Sequence, residues 1–419
     1  LHFRFGHISI LQYLSAISNN LLFKENGIVF SGALVASSII INFLSFLNKG
    51  IKIKNYDFHF LLILSFLIFI FYKINRYSEY GNDAPAHLLM FVLVSEIIKN
   101  FKNIKMDYIS NYFLLSFFIV MNKIILLISI FFPLVLLFNK KLKVVFLNKK
   151  NIFSIVFLLL WTLKNILVSG CLLYPVKHTC FNNLIWTNET KAKNVSIQNE
   201  AWAKGWSDYK KDENNKISQL NYSKNFFWIK TWSKNHLLKI LEILIPYLLF
   251  LIILFLIIRS NNKLKNVQRY VKILILISLV GSLMWFLKVP VFRYGYSYLI
   301  IFISLIFAFS GNYITLKKNS DKIFKIVICI LLLVFVFKNL NRIIFQDLKY
   351  NNYPWPKFYS YKNDNSKINN LIFKIINGKK LYFSRDEYCM YSYAPCGQLN
   401  ENLNVKTIKN YFIIYSTSN

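Results

Sequence analysis

Four short segments hold residue types that could do chemistry. The first, Glu79-Tyr80-Gly81-Asn82-Asp83-Ala84-Pro85-Ala86-His87, leads into an apolar run. Asp83 and His87 are four positions apart, so on a helix they share one face. A carboxylate there could take a proton from an acceptor hydroxyl or hold a divalent metal, with the imidazole as acid or base. Asp83 stands two residues before Pro85, so a plain N-cap accounts for it equally well. The second segment, Val289-Pro290-Val291-Phe292-Arg293-Tyr294-Gly295-Tyr296, puts Arg293 and Tyr294 at the start of an apolar helix. A guanidinium beside a helix N-terminus suits phosphate, and a snorkelling arginine is the plainer alternative.

The third segment, Trp161 to Pro175, carries Lys164 about one and a half turns inside the end of an apolar run. Such a lysine either snorkels or faces a polar cavity. The fourth, Glu200-Ala201-Trp202-Ala203-Lys204-Gly205-Trp206, offers Trp202, Lys204 and Trp206. Tryptophans at a membrane border act as anchors, and their faces also suit the stacking of sugar rings. At the start of the chain, Arg4 and His7 precede an amphipathic stretch, Ile8 to Phe23, too polar to span a bilayer and suited to lie in its interface.

The elements that must position these residues are written in the composition. Of 419 residues 55% are apolar and 18% aromatic, and the mean hydropathy is +0.41, more apolar surface than a soluble chain can hide from water. The apolar runs predict about ten spanning helices, at 27–48, 58–72, 85–98, 108–121, 123–138, 151–168, 237–258, 271–288, 296–315 and 322–340. The expected class is an all-α polytopic transmembrane bundle with a small α/β extracytoplasmic C-terminal tail. Its segments are an outer-face interfacial stretch (1–26), helices 1–6 (27–168), a large extracytoplasmic loop (169–236), helices 7–10 (237–340) and the C-terminal region (341–419).

The net charge of +33 would suggest a nucleic-acid partner in a soluble protein. Here the lysines sit in short loops between apolar runs, alongside the abundant Asn, Ile and Phe of an AT-rich coding sequence, and no separable basic face remains, so nucleic acid is set aside. Lys and Arg crowd alternate loops instead. Lys49, Lys52 and Lys54, then Lys99 to Lys105, Lys140 to Lys150, Arg259 to Arg269 and Lys317 to Lys322 mark one side; Lys73, Arg76, Lys123, Lys288 and Arg293 are sparse on the other. The positive-inside rule makes the crowded side cytoplasmic. The alternation holds only if residues 108–138 are two helices, and it puts Asp83, the 169–236 loop, the Pro290–Gly295 turn and the C-terminus outside the cytoplasm. Cys171 with Cys180 and Cys389 with Cys396 then lie where disulfides form, whereas Cys329 sits inside a helix. In the tail, Ile368 to Ile376 reads as helix, and Lys380 to Ser384 and Tyr411 to Tyr415 as strands.

The run Lys164-Asn165…Ser169-Gly170…Tyr174-Pro175, the run Pro290-x-x-Arg293-Tyr294-x-Tyr296 and the opening Leu1-His2-x-Arg4-Phe5-Gly6 resemble segments of the GT-C-type polytopic glycosyltransferases. Within these the chain is most similar to uncharacterised bacterial membrane proteins distantly related to mannosyl and aminoarabinose transferases, over roughly residues 1–300. The resemblance implies transfer of a sugar from a polyprenyl-phosphate donor to a cell-envelope glycan or lipid acceptor, on the outer face of a bacterial inner membrane. It also implies a base or metal-holding carboxylate in a first outer loop. The chain begins at Leu1 and not Met, so that loop is expected upstream of this sequence, with Asp83 as a substitute. An O-antigen-type polymerase or ligase, or a non-catalytic protein of envelope assembly, would show the same polytopic pattern. The cofactor is left open, a divalent metal being one option.

Overall fold

The computed structural model describes residues 9–21, 30–73, 83–101, 106–136, 149–211, 217–262, 269–311, 314–345, 371–384, 396–398, 403–408 and 411–416. Its helices are α1 (Ile10–Leu21), α2 (Phe30–Lys52), α3 (Phe58–Lys73), α4 (Asp83–Asn100), α5 (Met106–Asn122), α6 (Ile124–Leu134), α7 (Lys149–Ser169), α8 (Glu189–Ala203), α9 (Trp228–Ile258), α10 (Arg269–Lys288), α11 (Phe292–Gly311) and α12 (Ser320–Phe345). Short helical turns at Trp206–Tyr209 and Gln219–Lys224 lie between α8 and α9. Strands β1 (Arg259–Asn262) and β2 (Ile314–Leu316) pair antiparallel; β3 (Leu371–Ile376), β4 (Lys379–Ser384), β5 (Cys396–Gln398), β6 (Leu403–Ile408) and β7 (Tyr411–Ser416) follow in the tail. The chain divides into two compact units, one of residues 1–8, 159–199 and 357–419, the other of residues 9–158 and 200–356.

Six of the helices are long and apolar enough to cross a membrane: Phe30–Lys52, Ile152–Ser169, Trp228–Ile258, Arg269–Lys288, Phe292–Gly311 and Ser320–Asn341. That is fewer than the ten runs expected. Length separates the rest: α3 has 16 residues, about 24 Å at 1.5 Å per residue, against roughly 30 Å of hydrocarbon. α5 and α6 are also short, and α4 carries Asp83, Glu96 and Lys99. Of these, α3 and α4 are largely buried by other helices. Every residue from Phe60 to Phe71 on α3 is buried, so this helix, apolar on all sides, meets protein on all sides. By contrast α9 and α12 leave rows of Leu, Ile and Phe uncovered, with Leu249, Ile252, Ile253 and Leu256 on α9 and Leu333 and Phe337 on α12 all exposed. Each such side chain left in water forgoes about 1.5–3 kcal/mol, a cost that lipid removes.

Backbone accounting explains two details of the bundle. Pro246 inside α9 has no N–H for the carbonyl of Glu242, and the Tyr72 hydroxyl of α3 donates to that oxygen at 3.0 Å. Tyr247, fully buried, shares a hydrogen bond of 2.9 Å with Ser304 of α11 and donates to the Ser65 carbonyl of α3 at 3.3 Å. Three helices are thereby fixed in rotation around one phenol.

α10 and α11 form a close antiparallel pair through two glycines. A Cβ on Gly281 would overlap the Tyr298 ring, and one on Gly295 would overlap the Trp285 ring and lie 2.8 Å from the Trp285 Cβ. A Cβ on Gly311 would meet only the end of the Leu61 side chain at overlapping distance. Gly295→Ala, which also meets the Trp285 Cβ, is therefore expected to cost about 1–3 kcal/mol and more than Gly311→Ala, where only a side-chain end must shift, measured as thermal midpoints of the two variants in detergent. Equal midpoints would refute this packing.

The described residues 106–134 form two helices, as the charge alternation requires. α5 ends at Asn122, Lys123 is extended (φ −151°, ψ 101°), and α6 opens as a 3-10 turn over Ile124–Ile130. The tail differs from its reading: Leu371–Ile376 is a strand, paired in register with β4 from Leu371↔Ser384 to Ile376↔Lys379, and every described tail element is a strand. Leu-Ile-Phe-Lys-Ile-Ile satisfies either period locally, and the turn at Asn377-Gly378, both at positive φ, settles it as a hairpin.

Candidate functional site

The first turn of α4, the break between α5 and α6 and the Val289–Phe292 connection meet within the larger unit. Lys123 is the hub. Its side chain is 9% exposed, and its Nζ donates to Asp83 Oδ1 at 2.6 Å and to the Arg293 carbonyl at 2.9 Å. The same ammonium lies 4.7 Å from the centre of the Tyr294 ring. The extended backbone at Lys123 makes this possible, because it points one residue out of an otherwise apolar pair of helices. Asn122 beside it accepts from the Ser9 hydroxyl at 2.7 Å and the Leu11 N–H at 2.9 Å, which caps the start of α1.

His87 is fully buried one turn into α4. Its Nε2–H donates to the Arg293 carbonyl at 3.0 Å, which makes Nδ1 the acceptor of the Ser297 hydroxyl at 2.7 Å. Its ring packs against Tyr296, with centroids 3.9 Å apart. Both nitrogens are thus engaged by α11 and no face is open to a substrate. Against the catalytic role expected of it, this arrangement has His87 tying α4 to the start of α11. Asp83, whose side chain is 34% exposed, keeps an open edge beyond its bond to Lys123.

The turn before α11 is held by side chains from several elements. Trp232 Nε1 donates to the Pro290 carbonyl at 2.6 Å, and Trp285 Nε1 to that of Val291 at 2.9 Å. Arg293 itself is exposed; its guanidinium carbon lies 4.8 Å from the centre of the Tyr294 ring and its Nη2 donates to the Tyr294 hydroxyl at 2.8 Å. Among the described residues no carboxylate pairs with it. A preoriented guanidinium and an ammonium therefore border one tyrosine, and the ammonium holds a partly open carboxylate.

This donor set does not fit a divalent cation. Asp83 is bonded to an ammonium and His87 has no free nitrogen, and among the described residues no group of three His, Cys, Asp or Glu could hold a metal ion.

The remaining expected residues fall elsewhere. Lys204 is 2% exposed: its Nζ donates to Glu200 at 2.6 Å and to the Ser223 carbonyl at 3.1 Å, and lies 4.9 Å from the Trp228 ring centre. Burial pulls its ammonium below the usual lysine range while Glu200 pulls the other way. Lys204, read as a substrate-binding residue, fastens the loop to α9. Trp206 packs against Tyr209 and Tyr222, and Trp202 keeps an exposed face. Lys164, in the smaller unit, lies over the Trp161 ring at 5.4 Å. Also there, Cys171 and Cys180 form a disulfide just past Gly170, whose φ of +75° ends α7 in a conformation costly for any side chain. Arg4, His7 and Cys389 lie outside the described residues, while Cys396 begins β5.

Sequence reasoning missed Lys123. The available signal was its isolation, as the sole basic residue of a loop between two apolar runs, but the alternation of charge had already accounted for it.

Fold and site together define a helical bundle with membrane-crossing helices and a charged centre where three connections meet. Residues 1–300 match the family described as Domain of unknown function (DUF8201), and the chain belongs to that family. Comparison with curated proteins and with solved structures finds no match.

Proposed function

We propose that this chain is a polytopic membrane glycosyltransferase that moves a sugar from a polyprenyl-phosphate donor to a cell-envelope glycan or lipid acceptor. The observation that carries the reading is that Lys123, which lies over the Tyr294 ring beside the exposed Arg293 guanidinium, also holds the partly open carboxylate of Asp83. Such a centre suits a substrate that is anionic at one end and must lose a hydroxyl proton at the other. In the step proposed, Asp83 accepts the proton of the acceptor hydroxyl as its oxygen bonds to the anomeric carbon. The bond from that carbon to the phosphate oxygen breaks, and Arg293 holds the departing polyprenyl phosphate. Lys123 fixes Asp83, and Trp202 offers a face for the sugar.

The sidedness belongs to the same proposal. Contacts group the connections into two ends: Trp232, Pro290, Asp83 and Lys123 meet at one, while Phe101 stacks on Tyr270 and Tyr56 packs tilted against Phe324 at the end with the lysine-rich loops. With the positive-inside rule, the site lies at the extracytoplasmic end of a bacterial inner membrane.

The test is transfer from a radiolabelled polyprenyl-phosphate sugar by the purified protein in proteoliposomes. A charge-assisted contact to phosphate is worth about 1.5–3 kcal/mol, so Arg293→Ala is expected to raise the donor KM roughly 10- to 100-fold with a smaller change in kcat. No transfer by the wild-type chain with a panel of such donors would overturn the reading.

A further inference from the structure

The tail carries an outward face that no part of the proposed reaction uses. In β3–β4 the register pairs Phe373 with Tyr382 and Ile375 with Lys380, and paired residues point to the same side. The opposite side pairs Ile372 with Phe383 and Lys374 with Leu381. Leu381 and Phe383 are buried with Val405 of β6, with Ile376 and Ile414 around them, and Asn377 Nδ2 donates to the Val405 carbonyl at 2.6 Å. The hairpin β6–β7 therefore covers that inner side.

The outer side is left with the wrong polarity for water. Ile375 is 68% exposed and Phe373 54%, where a strand facing solvent would carry polar residues. Lys380 lies between the two rings of this side, 4.1 Å from the centre of Phe373 and 5.4 Å from that of Tyr382. From Leu371 to Ser384 the sequence has three lysines and no acid.

We propose that this face of β3–β4 lies on an anionic bilayer surface, with Phe373 and Ile375 at the acyl boundary and Lys380 among the headgroup phosphates. Apolar and aromatic side chains around a lysine are the chemistry of interfacial binding. Each surface-adjacent lysine contributes about 1 kcal/mol on a negatively charged leaflet. The face has no carboxylate or amide to bond a glycan's hydroxyls. It is also covalently joined to α12, a helix of membrane-crossing length and composition. That tether makes the docking effectively intramolecular, so a modest intrinsic affinity suffices.

The test uses the full chain with Cys329, Cys389 and Cys396 replaced by serine, carrying Ile375→Cys or Lys406→Cys labelled with a polarity-sensitive fluorophore. Lys406 is exposed on the side of β6 opposite Val405, which points away from the proposed surface. The protein is reconstituted in phosphatidylcholine vesicles with or without phosphatidylglycerol, each also prepared with brominated acyl chains. The expected result is a blue shift and bromolipid quenching at position 375 in the anionic vesicles, at least twofold weaker after Lys380→Glu, with position 406 unaffected. Three results would overturn the proposal: no quenching at 375 in either vesicle, equal quenching at both positions, or protection at 375 that tracks cross-linking between two 375 cysteines and not lipid charge.

Discussion

Asp83→Asn lowers transfer from a polyprenyl-phosphate sugar by roughly 10²- to 10⁴-fold per folded molecule, the range a positioned general base supplies, while the folded protein keeps its donor affinity. The variant separates chemistry from structure because an asparagine Oδ1 can still accept the Lys123 ammonium that Asp83 binds at 2.6 Å. What it loses is the capacity to take a proton. Turnover and thermal midpoint are measured together on the same preparation. Asn leaves the Lys123 ammonium, 9% exposed, without a counter-charge, so the midpoint also falls; a fall in turnover per folded molecule well beyond that seen for Lys123→Met supports the base, and a fall in both in proportion reduces Asp83 to a strut. Unchanged turnover would remove Asp83 from the reaction and move the search to another carboxylate. His87→Gln provides the contrast: the imidazole is sealed between Ser297 and Arg293, so its loss should lower the midpoint more than the rate per folded molecule.

Much of the bundle was legible in the chain because lipid and protein interior impose the same demand on composition. The break at Lys123 was legible because charge alternates only if two helices flank it. Length was the less readable quantity: the apolar run of α3 is buried in protein on every side, and sequence alone does not distinguish that from a short lipid-facing span. The site was legible in part. Asp83, Arg293 and Tyr294 stand out by type and by their places at helix starts. Their partners do not, because His87 meets Ser297 across 210 positions and Lys123 meets Asp83 across 40, and no local spacing encodes such pairs. Lys204 misled for a related reason: a lysine between tryptophans reads as a sugar site until Glu200, one helical turn earlier, is seen to bind it. In the tail, Leu371 to Ile376 lacks a decisive period, and its strand state is set by the turn and by pairing with β4.

Lys123→Met is expected to destabilise the bundle by about 1–3 kcal/mol, and the sign follows from what is left behind. Methionine fills the space of the lysine stem, so little packing is lost. Removing one partner of a buried ion pair costs about 3–5 kcal/mol when the other charge is stranded. Here the Asp83 side chain is 34% exposed and can recover some hydration, so the smaller figure applies. The Arg293 carbonyl loses one donor but keeps the His87 Nε2–H. The double variant Asp83→Asn/Lys123→Met carries no stranded charge, and it should be more stable than Lys123→Met alone, a coupling of 0.5 kcal/mol or more in a cycle of thermal or denaturant midpoints. Additive losses would mean that the ammonium and the carboxylate are neighbours without energetic consequence. The activity of the single variant then carries a second message: with its carboxylate no longer tethered, turnover should fall more steeply than the midpoint, and Lys123→Arg should restore part of it. That rescue distinguishes a cation that aims Asp83 from one that only fills a gap between three helices.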